Sequence, residues 1–256
     1  MALLLQHYDT DPITPHIPSL TNGYMLQGAC SVVGGRALLQ GKNLATGQSI
    51  LLERLSGMSH VAMQEALVRQ QSLLALEHMN IARGLPGFCH NDALYLPMVV
   101  GKGSPLSQDR RSYSQSEAVA LAIQMCTFYN FLTYKELPTE QLILAPFTLY
   151  MTTSGCLKST QLSSLIGVYM PHYRSSKQMR YRNIMRRHIY SIGTTLYHIL
   201  TGQTSDSAMS TSTLTQLRPD LSKAFVAVIE RMLTAPLRQS WPNTITLRYE
   251  LLQLKY

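Results

Sequence analysis

The stretch RHIYSIGTTLYHILTG, Arg187 to Gly202, constrains this chain more than any other. It is apolar on nearly every side of a helical wheel, and it ends on glycine, the residue that most readily takes the left-handed stop of a helix. Such a helix has no face for water, so other elements must surround it. Three further segments can supply that surround. QSEAVALAIQMCTFYNFL (Gln115 to Leu132) is apolar on one face, with Ser114 or Ser116 as its cap, and LSKAFVAVIERML (Leu221 to Leu233) and NTITLRYELLQL (Asn243 to Leu254) are amphipathic.

The first third reads differently. Residues 1–23 hold three prolines and little periodicity, which predicts an extended arm. From Tyr24 to about Leu55, short apolar runs (SVVGGRALLQGKN, SILLERL) are separated by glycines and by ATGQ, a turn signal between two strands. Met58 to His78 has helical spacing, with Val61, Ala66, Val68, Leu73, Leu74 and Leu76 as core candidates, and Asp92 to Val100 is a further strand. Strands with one helix, followed by helices, predict an α+β protein of two lobes. The expected divisions are an arm at 1–23, a small lobe at 24–100 and a large lobe at 101–256.

With 256 residues, 45% hydrophobic and only 14% charged, the composition is that of a folded protein. Cys30, Cys89, Cys126 and Cys156 are scattered with no C-x-x-C pair, which predicts reduced thiols and neither a zinc site nor a disulfide framework. No run of 18 apolar residues occurs, so the expectation is a soluble, cytoplasmic protein, with peripheral contact to a membrane or membrane complex left open. The net charge of +8 is uneven. From Gln141 to Ser205 there is no Asp or Glu, whereas Lys158, Arg174, Lys177, Arg180, Arg182, Arg186 and Arg187 all fall there. A field of that sign favours an anionic partner.

Several phrases, in order, resemble the protein kinase superfamily. HIYSIGTTLYHILTGQTS is similar to the family's D-I-Y-S-L-G-x-x-L-Y-x-L-L-T-G, and VIERMLTAPLRQSW to I-x-x-M-L-x-x-D-P-x-x-R-P. ATGQSILLERL resembles T-G-x-x-V-A-I-K, and the run from Leu73 to Leu106 resembles the family's passage from regulatory helix through H-P-N-I to the hinge. The resemblance spans roughly Tyr24 to Leu254 and is closest to bacterial, including cyanobacterial, eukaryotic-type serine/threonine kinases. It implies a bilobal kinase-like fold.

The family's working residues do not carry over. The lysine that holds nucleotide phosphates falls on Glu53. Gly28, Gly34 and Gly35 do not make G-x-G-x-x-G, so Gly34-Gly35 reads as a strand turn. The resemblance places the catalytic loop in Thr139 to Thr148 and the metal-binding aspartate in Lys158 to Gly167, and neither window contains Asp or Asn. Magnesium needs oxygen anions at those places. The degenerate positions are Glu53 and Arg69 in the small lobe and Gln141, Leu142, Pro146, Phe147 and Gln161 in the large one. The aspartate that opens the family's central helix is His188 here, expected as a substitute hydrogen-bonding group.

The resulting expectation is a pseudokinase: no catalytic residue, no metal, no cofactor, no magnesium-nucleotide, and a role as a scaffold or interaction module. Its partner would be an acidic protein surface or larger complex, met by Arg174, Lys177, Arg180, Arg182, Arg186 and Arg187. Two alternatives stand beside it: an unorthodox nucleotide-using enzyme, and a binder of anionic membrane or, ranked lower, nucleic acid through residues 172–188. Last, Glu53 and Arg69 are expected as a charge-exchanged version of the family's lysine–glutamate pair, weighed against Glu53 in solvent and Arg69 beside Glu65.

Overall fold

The computed structural model describes residues 19–33, 35–140, 142–168, 183–203 and 211–254. Strands β1 (Ser19–Thr21), β2 (Tyr24–Val33), β3 (Arg36–Asn43) and β4 (Ser49–Ser56) form an antiparallel meander. Val33 pairs with Arg36, so the chain reverses between them; of the expected Gly-Gly turn, Gly34 lies outside the described residues. ATGQ makes the next reversal, with Gly47 at φ 69 and its N–H bonded to Asn43 O at 2.8 Å. Helix α1 (His60–Gln70) follows, then β5 (Arg83–Gly84), β6 (Phe88–His90) and β7 (Ala93–Val99). Among the described residues these strands give one seven-stranded sheet of order β1-β2-β3-β4-β7-β5, with β6 also on β7.

The two faces of this sheet are both apolar. Leu38, Leu51, Leu55, Leu94, Leu96 and Met98 point to α1 and the large lobe and belong to a core that continues without a break into it. On the opposite face Tyr24, Phe88 and Tyr95 stack as near-parallel rings at 5.7 and 5.0 Å, over Ile50 and Leu52. Sequence spacing locates helix α1 and two buried core residues, Ala66 and Leu73, but does not give the inward stripe. Its buried stripe is Met63, Ala66 and Gln70, whereas Val61 and Val68 are 68% and 73% exposed. Ser59 caps the helix through Ala62 N, and that start fixes which residues turn inward.

The large lobe carries a three-stranded sheet of β8 (Gly103–Pro105), β9 (Leu149–Thr152) and β10 (Leu157–Ser159). Its helices are α2 (Gln115–Tyr134), α3 (Leu162–Leu165), α4 (Ile184–Thr201), α5 (Thr211–Leu217), α6 (Lys223–Thr234) and α7 (Thr244–Gln253). The expected cap of α2 is Ser114, in a capping box with Glu117. Helix α4 is the central one: twelve of its eighteen residues are buried, and Gly202 ends it at φ 70. It meets α6 at Gly193, where a Cβ would lie 2.7 Å from the Met232 Cβ, so the close approach requires glycine. Beside α6, the Trp241 indole donates to Glu250 at 2.7 Å and lies under the Arg231 guanidinium, 4.1 Å from the ring centroid. No helix of the described residues is long and apolar enough to cross a membrane.

Candidate functional site: the cleft between the lobes

The antiparallel register of β3 and β4 sets the inner wall of the cleft. Leu38 lies opposite Glu53, so Arg36, two residues before Leu38, shares its face and reaches Glu53 on the diagonal. Arg36 Nε donates to Glu53 Oε1 at 2.6 Å, with the two side chains 3% and 0% exposed. The large lobe completes the cluster. Ser163 donates its hydroxyl to Glu53 Oε1 at 2.6 Å and its backbone N–H to Oε2 at 2.9 Å, at the start of α3. Arg36 Nη2 in turn donates to Thr160 O at 3.1 Å and contacts Thr160 Oγ1 at 3.4 Å. The carboxylate thus has three donors and a counter-charge, which is what a buried ion needs.

The expected Glu53–Arg69 pair is not formed. Arg69 is exposed on the outer side of α1, one position off the buried stripe, and the residue that points inward is its neighbour Gln70. Gln70 donates to Leu85 O at 2.9 Å and accepts from Gly87 N at 2.8 Å. Nor is Glu53 in solvent. Its partner, Arg36, stood in the sequence as an ordinary residue after a strand turn.

The two windows behind this cluster are stitched together by uncharged groups. Thr160 Oγ1 donates to Thr148 O at 3.0 Å, Ile143 N donates to Gln161 Oε1 at 3.2 Å, and Thr148 Oγ1 donates to Ile143 O at 2.8 Å. Gln161 is 1% exposed and Leu142 3%. Pro146 opens a short 3-10 turn and Phe147 packs on Ile143 and Ala145. Gln141 lies outside the described residues. Among those residues no group of three His, Cys, Asp or Glu side chains could hold a metal ion.

Toward the hinge the cleft is open. A cavity of about 540 Å³ is lined by Gln27, Gln40, Gln48, Lys102 and Tyr150 among others. Gln108 Nε2 donates to Cys30 O at 3.0 Å, bridging β2 to the large lobe, and burial pushes the Cys30 thiol up to about 11.

Of the basic residues expected to meet a partner, Arg174, Lys177, Arg180 and Arg182 lie outside the described residues, and Arg187 is half-buried. Arg186 is a correction. It is 1% exposed, and its guanidinium donates to Ala235 O at 3.1 Å and to Met232 O, the last carbonyls of α6. A side chain spent on closing a helix end cannot face a partner.

His188 does act as a hydrogen-bonding anchor. It is buried, stacks on Tyr129 at 3.9 Å, and its Nε2 bonds Thr139 O at 3.3 Å, which holds the start of the Thr139 to Thr148 loop. Burial lowers its pKa from 6.5 to about 4; the Thr139 bond opposes that and the Arg187 charge adds to it. A histidine whose folded pKa is depressed stabilises the fold fully above pH 6.5. That contribution is lost as pH falls from 6.5 toward 4, and at most it is worth roughly 3 kcal/mol at about 1.4 kcal/mol per unit. Denaturant midpoints across that range should therefore fall more steeply for the native chain than for His188→Gln; parallel profiles would show that His188 does not titrate with folding.

No protein-family profile matches the chain, and no curated protein is similar to it at a significant level. Solved structures do match. One is a crystal structure of the protein kinase Rad53 in complex with AMP-PNP, with a TM-score of 0.67 at 14% identity. The likeness covers 89% of this chain and 64% of that one, so the chain spans less than two thirds of its neighbour. At such identity the likeness is one of fold, and the fold is bilobal and protein-kinase-like.

Proposed function

We propose that this protein is a pseudokinase, a kinase-like fold used as a non-catalytic scaffold or interaction module. The observation that carries the reading is the state of Glu53. Where the family resemblance puts the phosphate-holding lysine there is a buried carboxylate, already saturated by Arg36 and Ser163. A polyphosphate entering the inner cleft would meet that negative charge and would have to break a buried ion pair to displace it, which is strongly unfavourable. The two windows where the family keeps its magnesium ligands and its base contribute Ile143, Thr148 and Gln161 to the buried wall, none of which can bind a hard cation as an anion or accept a hydroxyl proton, and their one carboxylate, Glu140, is on the exposed surface.

The partner is proposed from charge alone. With Arg186 committed to α6, the basic group that remains for an acidic protein surface is Arg174, Lys177, Arg180 and Arg182, joined by Arg187. Contacts of that kind act mainly on association rate and salt dependence.

The expected result is that ATP or AMP-PNP, with or without magnesium, leaves the melting temperature unchanged, because stabilisation requires binding. No labelled phosphate should transfer to the protein or to a general acceptor. Transfer that disappears on mutating Thr160 or Ser163 would overturn the reading. Reversing Arg180 and Arg182 together should release copurifying partners at low salt, and partners that stay bound would refute the basic surface.

A further inference from the structure

We infer that Arg36, Glu53, Thr160 and Ser163 form a clamp that keeps the two lobes closed with no ligand between them; this rests on the pseudokinase reading of the same cleft. Arg36 and Glu53 belong to adjacent strands of the small lobe, β3 and β4. Thr160 and Ser163 belong to the large lobe, between β10 and the first turn of α3. Of the bonds in the cluster, only Arg36–Glu53 stays within a lobe. The Arg36 bond to Thr160 O and both Ser163 bonds to Glu53 cross the gap.

The arrangement is reciprocal. The small lobe offers a cation to a large-lobe carbonyl, and an anion to a large-lobe hydroxyl and amide. Opening the lobes would leave a buried ion pair without its outer donors and acceptor, so closure and satisfaction of the pair are one event. Two neighbouring links follow the same line. Ala82 N bonds Ser159 O at 3.1 Å, one residue before Thr160, and Gln108 Nε2 bonds Cys30 O at 3.0 Å. In a nucleotide-dependent two-lobed enzyme the ligand bridges the lobes. Here side chains bridge them.

Hydrogen exchange of the full-length chain tests this without nucleotide. Ser163→Ala removes one crossing hydroxyl and leaves Arg36 and Glu53 paired, so it should fold. Exchange of the amides of residues 160–166 and of β3 and β4 should rise together, by about tenfold to a hundredfold for loss of a charge-assisted bond. Arg36→Gln should give the same pattern more strongly, and if it fails to fold Ser163→Ala alone decides. A rise confined to residues 160–166, with β3 and β4 as protected as in the native chain, would overturn the clamp. Adding AMP-PNP and magnesium separates the two proposals. Protection gained by the native chain would refute the pseudokinase reading, whereas the coupled rise without nucleotide stands or falls independently.

Discussion

Glu53→Gln should destabilise the protein by about 3–5 kcal/mol, because it leaves the Arg36 guanidinium buried without a counter-charge. Arg36→Met should cost a similar amount for the reciprocal reason. The double replacement Arg36→Met with Glu53→Met should recover much of the loss, since two apolar side chains of similar length remove the charges together. Recovery should stop short of complete by about 1–3 kcal/mol, the cost of leaving the Ser163 amide without its acceptor. Urea unfolding at constant slope of the native chain, Arg36→Met, Glu53→Met and the double measures all four corners of the cycle. Additive losses would show that the pair is not coupled. Glu53→Lys follows from the same geometry: a lysine at that position sets a second cation against Arg36, and the expected outcome is an unfolded protein. Arg69→Glu, on the exposed side of α1, should change stability by less than about 0.5 kcal/mol.

Arg186→Met is the second large effect, about 3 kcal/mol or more. The guanidinium fork reaches two carbonyls at the end of α6, Met232 O and Ala235 O, and its charge lies at the negative end of that helix. Methionine keeps the volume and loses both donors, leaving buried acceptors unpaired. Lysine keeps the charge but has no fork, so Arg186→Lys should recover only part. A denaturant midpoint unchanged in Arg186→Met would sink this assignment. A Met variant that folded as well as the native chain but bound its partner more weakly would return Arg186 to the surface.

The elements themselves were readable because their signals are local. Gly202 after an apolar helix, Ser114 three residues before Glu117, and turn residues between short apolar runs each act within a few residues. The Glu53 partner was not readable, because register is not local in the same sense. ATGQ announces a turn but leaves the pairing of β3 with β4 open by one residue, and a slip of one would send Glu53 to the opposite face from Arg36. The expected Arg69 fails for the same reason on a helix, where the step of one position to Gln70 turns a side chain by about 100°. Arg186 was misread for another reason. It sits in a run of basic residues, and a run of charge in sequence says nothing about which member turns inward to satisfy carbonyls 46 and 49 residues away.

Trp241 is the chain's one tryptophan, and it is buried in the large lobe under Arg231. The small lobe has instead the Tyr24–Phe88–Tyr95 ring stack. The large lobe therefore carries an optical signal of its own without any label. Red-edge fluorescence follows only the large lobe, with the adjacent guanidinium and the Glu250 bond setting its emission. The tyrosine band of near-ultraviolet circular dichroism includes the ordered rings of the small lobe. If the lobes melt as one unit the two optical signals should trace a single curve, and a variant that uncouples them would separate the curves before either lobe is lost.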